Sequence, residues 1–492
     1  MHRANIIGAG PNGLAAAVVL AQAGLDVRVF EAEAQPGGAA RTLPLTLPGF
    51  LHDFGSAIHG IAAGSPFFRS LPLASHGLEF IHPPAPLAHP LDDGTAVLLE
   101  RSYDATADNL GKEDGNAWWK LLSPFSEHWF ELAPGLLGPV TRIPNHPFLM
   151  ARLGFRGFPP ATWVARLFRG ERAKALFAGL AAHSFLALDE SLSASFGIML
   201  GANAHAVGWP IARGGSQAIA DALCRHLESL GGRIETSHRV DRLADLDDAA
   251  VTLFDVTPRQ LRAIAGERLS PAYGRRMERW QYGPAAFKVD YALSQPIPWR
   301  AKECLRAATV HIGGTFSEIA ESESTMRKGR HPERPFVLLA QPSLFDPSRA
   351  PAGKHVAWAY CHVPNASTFD MLPRLEAQIE RFAPGFRECV LARRVFSPAA
   401  LESMDANLIG GDIIGGAVNL RQFIFRPTGK YYDTSAPDIF LCSSSTPPGG
   451  GVHGMCGYNA AQRALRYLRR AASSDRAPDS TSAGSKVAPE IT

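Results

Sequence analysis

Three glycines, Gly8, Gly10 and Gly13, with an acid at Glu31, have the types and spacing to hold two linked phosphates and a ribose. Gly8 permits a tight turn. Gly10 lets backbone approach a pyrophosphate, and Gly13 lets a helix pack closely on a strand. Pro11 and Asn12 complete the turn at a helix N-terminus, whose free N–H groups and partial positive charge suit phosphate. Glu31, followed by Ala32, is placed to accept hydrogen bonds from a ribose. The chemistry on offer is dinucleotide binding. The bland alternative is a tight glycine turn with no ligand, and the elements around the glycines weigh against it.

Those elements read as one βαβ unit. Residues 4–7 form a short apolar strand, residues 14–23 a helix of small side chains, and residues 27–30 a second strand that ends on Glu31. A second block follows at 207–240. Arg213-Gly214-Gly215 opens a helix with apolar positions at Ile219, Leu223 and Leu227. Gly231-Gly232 ends it, and residues 233–236 form a strand. A third block, 283–401, carries strand-like runs at 286–293, 309–312, 336–341 and 355–362. The alternation in FKVDYAL (287–293) suits a half-buried antiparallel strand. Between the first two blocks, 74–206 is rich in proline and aromatic residues and shows no clear alternation. Within it, 153–169 mixes large apolar groups with arginines. That stretch reads as a substrate-access rim, a membrane-facing patch or a buried helix and loop. Residues 459–470 form an amphipathic closing helix. From 471 onward the chain has too few large apolar groups to order itself, so 471–492 reads as a disordered tail.

Composition narrows the class. At 492 residues the chain is long enough for two or three domains and a large core. A net charge of +3 argues against nucleic acid as a partner. No apolar run reaches bilayer length; the longest, 175–188, contains His183 and suits a core helix. The nucleotide-binding strand begins at Ala4 with no leader before it, which points to the cytoplasm, with peripheral membrane contact left open. Six scattered cysteines with no C-x-x-C argue for a reducing compartment and against a dithiol–disulfide reductase. Nothing shows metal-ligand spacing, so no metal is expected.

The residues after Glu31 separate one dinucleotide from another. Glu31-x5-Gly37-Gly38-x-x-Arg41 resembles the FAD signature of the amine oxidase and phytoene desaturase superfamily. There the second glycine pair lets backbone pass beside the flavin's phosphates and ribityl chain, and the arginine lies near the cofactor. For Arg41 a solvated surface charge is the alternative. The segment 438–461 is an apolar strand, a Pro/Gly-rich turn and a helix start, with five glycines within nine residues. It resembles the loop that precedes the last helix of phytoene desaturase-related FAD-dependent oxidoreductases, including the branch of pyridine nucleotide-disulfide oxidoreductase domain-containing protein 2. Stretches 8–41, 52–56, 208–234, 287–293 with Pro298-Trp299, and 442–461 carry the likeness over nearly the whole chain.

The resemblance implies an α/β fold: a Rossmann-like FAD-binding domain (1–73, 207–255 and 402–470) with a discontinuous α+β substrate domain (74–206 and 256–401). It implies cofactor contacts from Gly55, Ser56, Val240, Gly450, Gly451 and Val452 as well as the first loop. It also implies hydride transfer to flavin from an apolar, lipid-like or isoprenoid substrate. A desaturation needs a group to take the neighbouring proton, and His59 and His453 are the candidates, each with a structural role as its alternative. With a single dinucleotide fingerprint, the electron acceptor is expected to be oxygen or a quinone rather than NAD(P). A flavin amine oxidase, with Tyr458 and Trp209 available for an aromatic cage, and a non-catalytic FAD-containing scaffold remain the competing readings.

Overall fold

The computed structural model describes residues 2–140 and 144–474. Its first sheet has five parallel strands in the order Ile439–Leu441, Val251–Phe254, Arg3–Ile7, Asp26–Phe30, Arg233–Glu235. The glycine turn follows the central strand and leads into the helix Pro11–Gln22, which starts with proline at its first position. Ten consecutive residues of that helix, Asn12 to Ala21, are buried. Small side chains suit this, because the helix is enclosed on several sides: by the sheet, by the helix Gln217–Ser229 and by the last helix, Met455–Ser474. The contact with the last helix is especially close. A Cβ on Gly457 would lie 1.8 Å from the carbonyl oxygen of Asn12, so only glycine fits there.

The second sheet has seven strands, in the order Val390–Phe396, Ala285–Leu293, His355–Val363, Val337–Ala340, Ala307–Ile312, Ala85–Pro90, Ala96–Leu99. It is antiparallel except where Ala307–Ile312 runs parallel to Ala85–Pro90. One face is apolar: Phe287, Val289 and Tyr291 join Leu375, Ile379 and Phe382 of the helix Leu372–Phe382 in one core. The opposite face carries Lys288, Asp290, Trp358, Tyr360 and His362, and it looks toward the nucleotide-binding sheet and a helical layer built from residues 103–206.

Four sequence expectations are corrected here. FKVDYAL is not half-exposed: every residue of Ala285–Leu293 is buried, because strands flank it on both sides and both faces are covered. The region 74–206 is not free of sheet. It supplies Ala85–Pro90 and Ala96–Leu99, whose alternation is hidden by complete burial. The helices Pro258–Ala265 and Pro271–Glu278 fall inside 256–401, yet Leu261, Tyr273 and Met277 pack with Ile7, Phe30 and Phe254 and complete the core of the first sheet. The closing helix runs to Ser474, through the first four residues of the expected tail; residues 475–492 lie outside the described residues.

Candidate active site

The carboxyl ends of the parallel strands and the polar face of the seven-stranded sheet enclose one cavity. It holds about 1060 Å³ of atom-free space, its mouth included. Gly10, Pro11, Asn12, Gly38, Gly55, Ser56, Gly450, Gly451 and Val452 all line it. Ligands of open α/β sheets bind at this edge, beyond the strand ends. The glycines bring three separate stretches of backbone together. A Cβ on Gly38, whose φ is +53°, would stand 3.3 Å from the Cα of Gly10. Gly8 and Gly13 shape the turn from behind: a Cβ on Gly13 would lie 2.0 Å from the carbonyl oxygen of Gly8. Asn12 Oδ1, Ser56 Oγ and Trp358 Nε1 are buried on this lining with no hydrogen-bond partner among the described residues. Buried polar atoms are rarely left so, and these three call for a polar ligand.

Other singled-out residues stand one layer back. Glu31 accepts hydrogen bonds from the N–H groups of Ala9 (2.7 Å) and Glu33 (2.9 Å), and burial pushes its carboxyl up. Ala32 follows it, half-buried. Gly37, at φ +127°, donates to the carbonyl of Ala9. Arg41 is buried, not solvated: it donates to the carbonyls of Gly38 (2.7 Å) and Met404 (2.6 Å) and so clamps the second glycine turn. Val240 is buried with Phe30 and Ile7, next to the sheet edge that carries Glu31.

Neither histidine singled out for proton transfer lines the cavity. His59 is buried with Nε2 3.1 Å from Ser216 Oγ, and burial pulls its pKa down to about 4. His453 accepts the N–H of Met455 on Nδ1 (3.0 Å), its carbonyl accepts from Ser65, and burial again pulls its pKa down to about 4. Both imidazoles are therefore neutral near pH 7, and His453 caps the last helix. Tyr458 packs on Phe67, and Trp209 on His183 and His311, so they form no cage at the cavity.

Sequence reasoning passed over several groups that do face the cavity. Asp255 follows the strand Val251–Phe254, and its carboxylate accepts the N–H of Gly13 at 2.8 Å. Burial raises its pKa to about 7, with Asp405 and Glu31 adding to the effect. An acid directly after a parallel strand was a readable signal, because that is where ligands bind. Lys288 hydrogen-bonds Asp290 and lies 5.7 Å from the Trp358 ring and 5.2 Å from that of Phe396. Burial pulls the ammonium down and the carboxyl up. Trp358 and Tyr360 stack at 5.4 Å along the same wall. Behind it, Asp53 and Arg349 pair at 2.7 Å, both fully buried. The six cysteines are free, and no group of described residues is arranged to hold a metal ion.

The profile of the flavin containing amine oxidoreductase family matches residues 12–265, more than half of the chain. Pyridine nucleotide-disulfide oxidoreductase domain-containing protein 2 of Mus musculus is 26% identical, over 95% of this chain and 94% of its own. The lycopene-forming phytoene desaturase of Pseudescherichia vulneris is 24% identical, over 92% of this chain and 97% of its own. Cyclohexylamine oxidase from Brevibacterium oxydans superposes with a TM-score of 0.60 at 15% identity, over 95% of this chain and all of its own.

Proposed function

Because the chain belongs to the flavin containing amine oxidoreductase family and is an FAD-dependent oxidoreductase, we propose that it dehydrogenates an apolar, isoprenoid-like molecule in the cavity between its two sheets. The observation that carries this reading is the cavity wall opposite the glycine loops. Phe54, Ala286, Trp358, Tyr360, Leu401, Leu408 and Ile413 give it an aromatic and aliphatic surface suited to a hydrocarbon. The likeness to phytoene desaturases along more than nine-tenths of the chain supports the same class.

The residues present fit FAD. In this reading Gly10, Gly38 and the N-terminus of Pro11–Gln22 face the pyrophosphate, Glu31 takes a ribose, and Asn12 and Ser56 satisfy their free polar atoms on the cofactor. Gly450, Gly451 and Val452 bring backbone against it from the C-terminal loop. Bound FAD supplies the two-electron acceptor. The protein's part is to orient the substrate on the Trp358–Tyr360 wall, exclude water and hold charge with Lys288. A second reading, amine oxidation, draws on the same stacked Trp358–Tyr360 pair, which can flank an amine as an aromatic cage does.

A surface feature supports substrate delivery from a membrane. Phe148 is 90% exposed, Phe155 84% and Trp163 61%, next to Arg152, Arg156 and Arg166, with no acid between residues 147 and 170. Such a patch suits an anionic lipid surface. No helix among the described residues is long and apolar enough to cross a membrane. The test mixes the yellow protein anaerobically with phytoene in anionic phospholipid vesicles, with putrescine and cyclohexylamine, and with NADPH. Phytoene should bleach the flavin, a quinone should restore it, and the vesicles should carry the protein on flotation. Bleaching by the amines alone would favour the second reading, and rapid, saturable bleaching by NADPH would reveal a nicotinamide site that the single dinucleotide fingerprint does not announce.

Asp255 makes cofactor binding depend on pH. Its folded-state pKa lies above the ordinary carboxylate value, so the stability it contributes is present at low pH and is lost as pH rises through about 7. A pyrophosphate beside it favours the protonated form further, so FAD binding takes up a proton above that pH. Affinity of the apoprotein for FAD should fall roughly tenfold per pH unit above neutrality. Asp255→Asn should flatten the dependence while leaving affinity at pH 6 close to wild type. Titration calorimetry at three pH values checks this; a parallel pH profile in the variant would refute it.

A further inference from the structure

The polar face of the seven-stranded sheet continues past the cavity. Lys288 pairs across the sheet with Tyr360, Tyr360 with Leu338, and Leu338 with His311. Two residues along, on the same face, His362 lies directly across from Ala286. Ala286 and Tyr360 both line the cavity, so His362 is separated from it by a single side chain on two sides. Its Nδ1 is 2.7 Å from Glu323 Oε2 on the helix Phe316–Arg327, and both side chains are buried. Phe185 covers the ring at 3.9 Å, and the Tyr360 ring is 5.8 Å away.

The pair does not use all its atoms. Here His362 Nε2 and Glu323 Oε1 are buried with no partner among the described residues. An apolar pair of the same volume would pack without that cost. The arrangement instead fits a base: the carboxylate fixes the imidazole through Nδ1–H, leaving Nε2 free to accept a proton. The groups around it do not compete. His183, whose Nε2 is 3.0 Å from that of His311, is held down to about 3 by burial; His89 is held down to about 4, and His311 is held well below its ordinary value. Burial also keeps the Tyr360 phenol protonated. On the flanking strands the groups beside His362 carry no titratable side chain: Ala286 lies directly across from it on one side, and the Phe336 ring stands 6.2 Å away on the other.

We infer that His362, oriented by Glu323, is the store for the proton released during dehydrogenation, with Tyr360 as the link to the cavity. This rests on the dehydrogenase reading above. One hydrogen and two electrons leave the substrate for the oxidised flavin. The neighbouring C–H loses its proton to the Tyr360 hydroxyl as that hydroxyl passes its own, through one bridging water, to His362 Nε2, since the two side chains make no direct hydrogen bond. The C–H electron pair becomes the new π bond. The imidazolium then faces the Glu323 carboxylate, and the site's charge balances. His59 and His453, which stand off the cavity, have no part in this route.

The test does not need the substrate. The pH dependence of the bound flavin's midpoint potential counts protons taken up per two electrons. A store beside the cavity should bring the wild-type count to about two between pH 6 and 8, against about one in His362→Gln and in Glu323→Gln. Tyr360→Phe should keep the wild-type count, because it alters the path and not the store, and should slow reduction by phytoene roughly tenfold or more. Equal counts in wild type and His362→Gln would overturn the inference. If either glutamine variant loses its flavin, the wild-type titration decides alone: a count fixed at about one over this range also overturns it. If phytoene fails to reduce even the wild type, the dehydrogenase reading falls on that arm, while the proton count still decides the store.

Discussion

Valine at position 10 should give a folded, colourless protein. Gly10 has extended backbone (φ −68°, ψ 172°), a conformation open to any residue, so the substitution adds no backbone strain. The added Cβ would meet Asp255 Oδ2 at 2.6 Å, and that carboxylate is the movable end of a side chain, so the fold can give way. The space it gives up is the cavity beside the glycine turn, where the proposed pyrophosphate needs backbone and nothing else. FAD affinity should fall by about a thousandfold or more, near 4 kcal/mol. Flavin absorbance after heat release, with circular dichroism as the control for folding, reads the result. Gly13→Val makes the informative contrast. Its Cβ would collide with the backbone oxygen of Gly8, so it should cost the fold and not only the cofactor. A folded Gly10→Val protein with full flavin occupancy would remove the glycine loop from the binding site.

The second large effect should come from Arg349→Met. Arg349 and Asp53 are buried together, and Asp53 also accepts from Ser216 N–H and Thr42 Oγ1 at 2.8 Å each. Burial alone would raise the Asp53 carboxyl. The Arg349 guanidinium, with the Ser216 and Thr42 hydrogen bonds, outweighs it and holds the group below its ordinary value. Removing the arginine strands a buried anion, which typically costs about 3–5 kcal/mol. The sign with pH is a second check. In wild type the Asp53 contribution is present above the ordinary carboxylate pKa and fades as pH falls through the lower folded value. In the variant only the Ser216 and Thr42 hydrogen bonds still oppose burial, so acid relieves the stranded charge. The deficit measured by urea unfolding should therefore be largest near pH 7 and should shrink toward pH 5. The double variant Asp53→Asn/Arg349→Met should recover part of the loss. A deficit under 1 kcal/mol at neutral pH would contradict this reading of the network.

The cofactor side of the molecule was largely legible in the sequence, because its geometry rests on glycine and on local spacing. Gly8, Gly10 and Gly13 announce a turn between a strand and a helix, and Gly37-Gly38 and Gly449-Gly450-Gly451 announce close backbone. The substrate side was legible only as strands. Lys288 and Asp290 sit in a stretch whose alternation looks like one wet face, yet they are buried by strands far away in the chain. His362 and Glu323 are 39 positions apart and meet only because a helix lies across the sheet. The histidines that caught attention, His59 and His453, stood beside recognisable motifs. Their neighbours in space, Ser216 and the N–H of Met455, gave them structural work instead. Spacing along a chain reveals partners that are close in sequence; it carries no signal for pairs made by tertiary packing.

The interlocked contact of Gly457 with Asn12 has a consequence for biosynthesis. The helix Pro11–Gln22 leaves the ribosome long before the helix Met455–Ser474, yet in its finished form it is buried on almost every side. Of the elements that enclose it, the helix Met455–Ser474 makes the most extensive contact and is synthesised long after it. At ordinary translation speeds the apolar helix therefore waits on the order of half a minute for its lid. A nascent chain in that state presents a greasy, glycine-flanked strand–helix–strand unit to its surroundings, which makes residues 3–30 a natural customer for a holding chaperone. A message truncated before residue 455 would leave that segment with no way to finish.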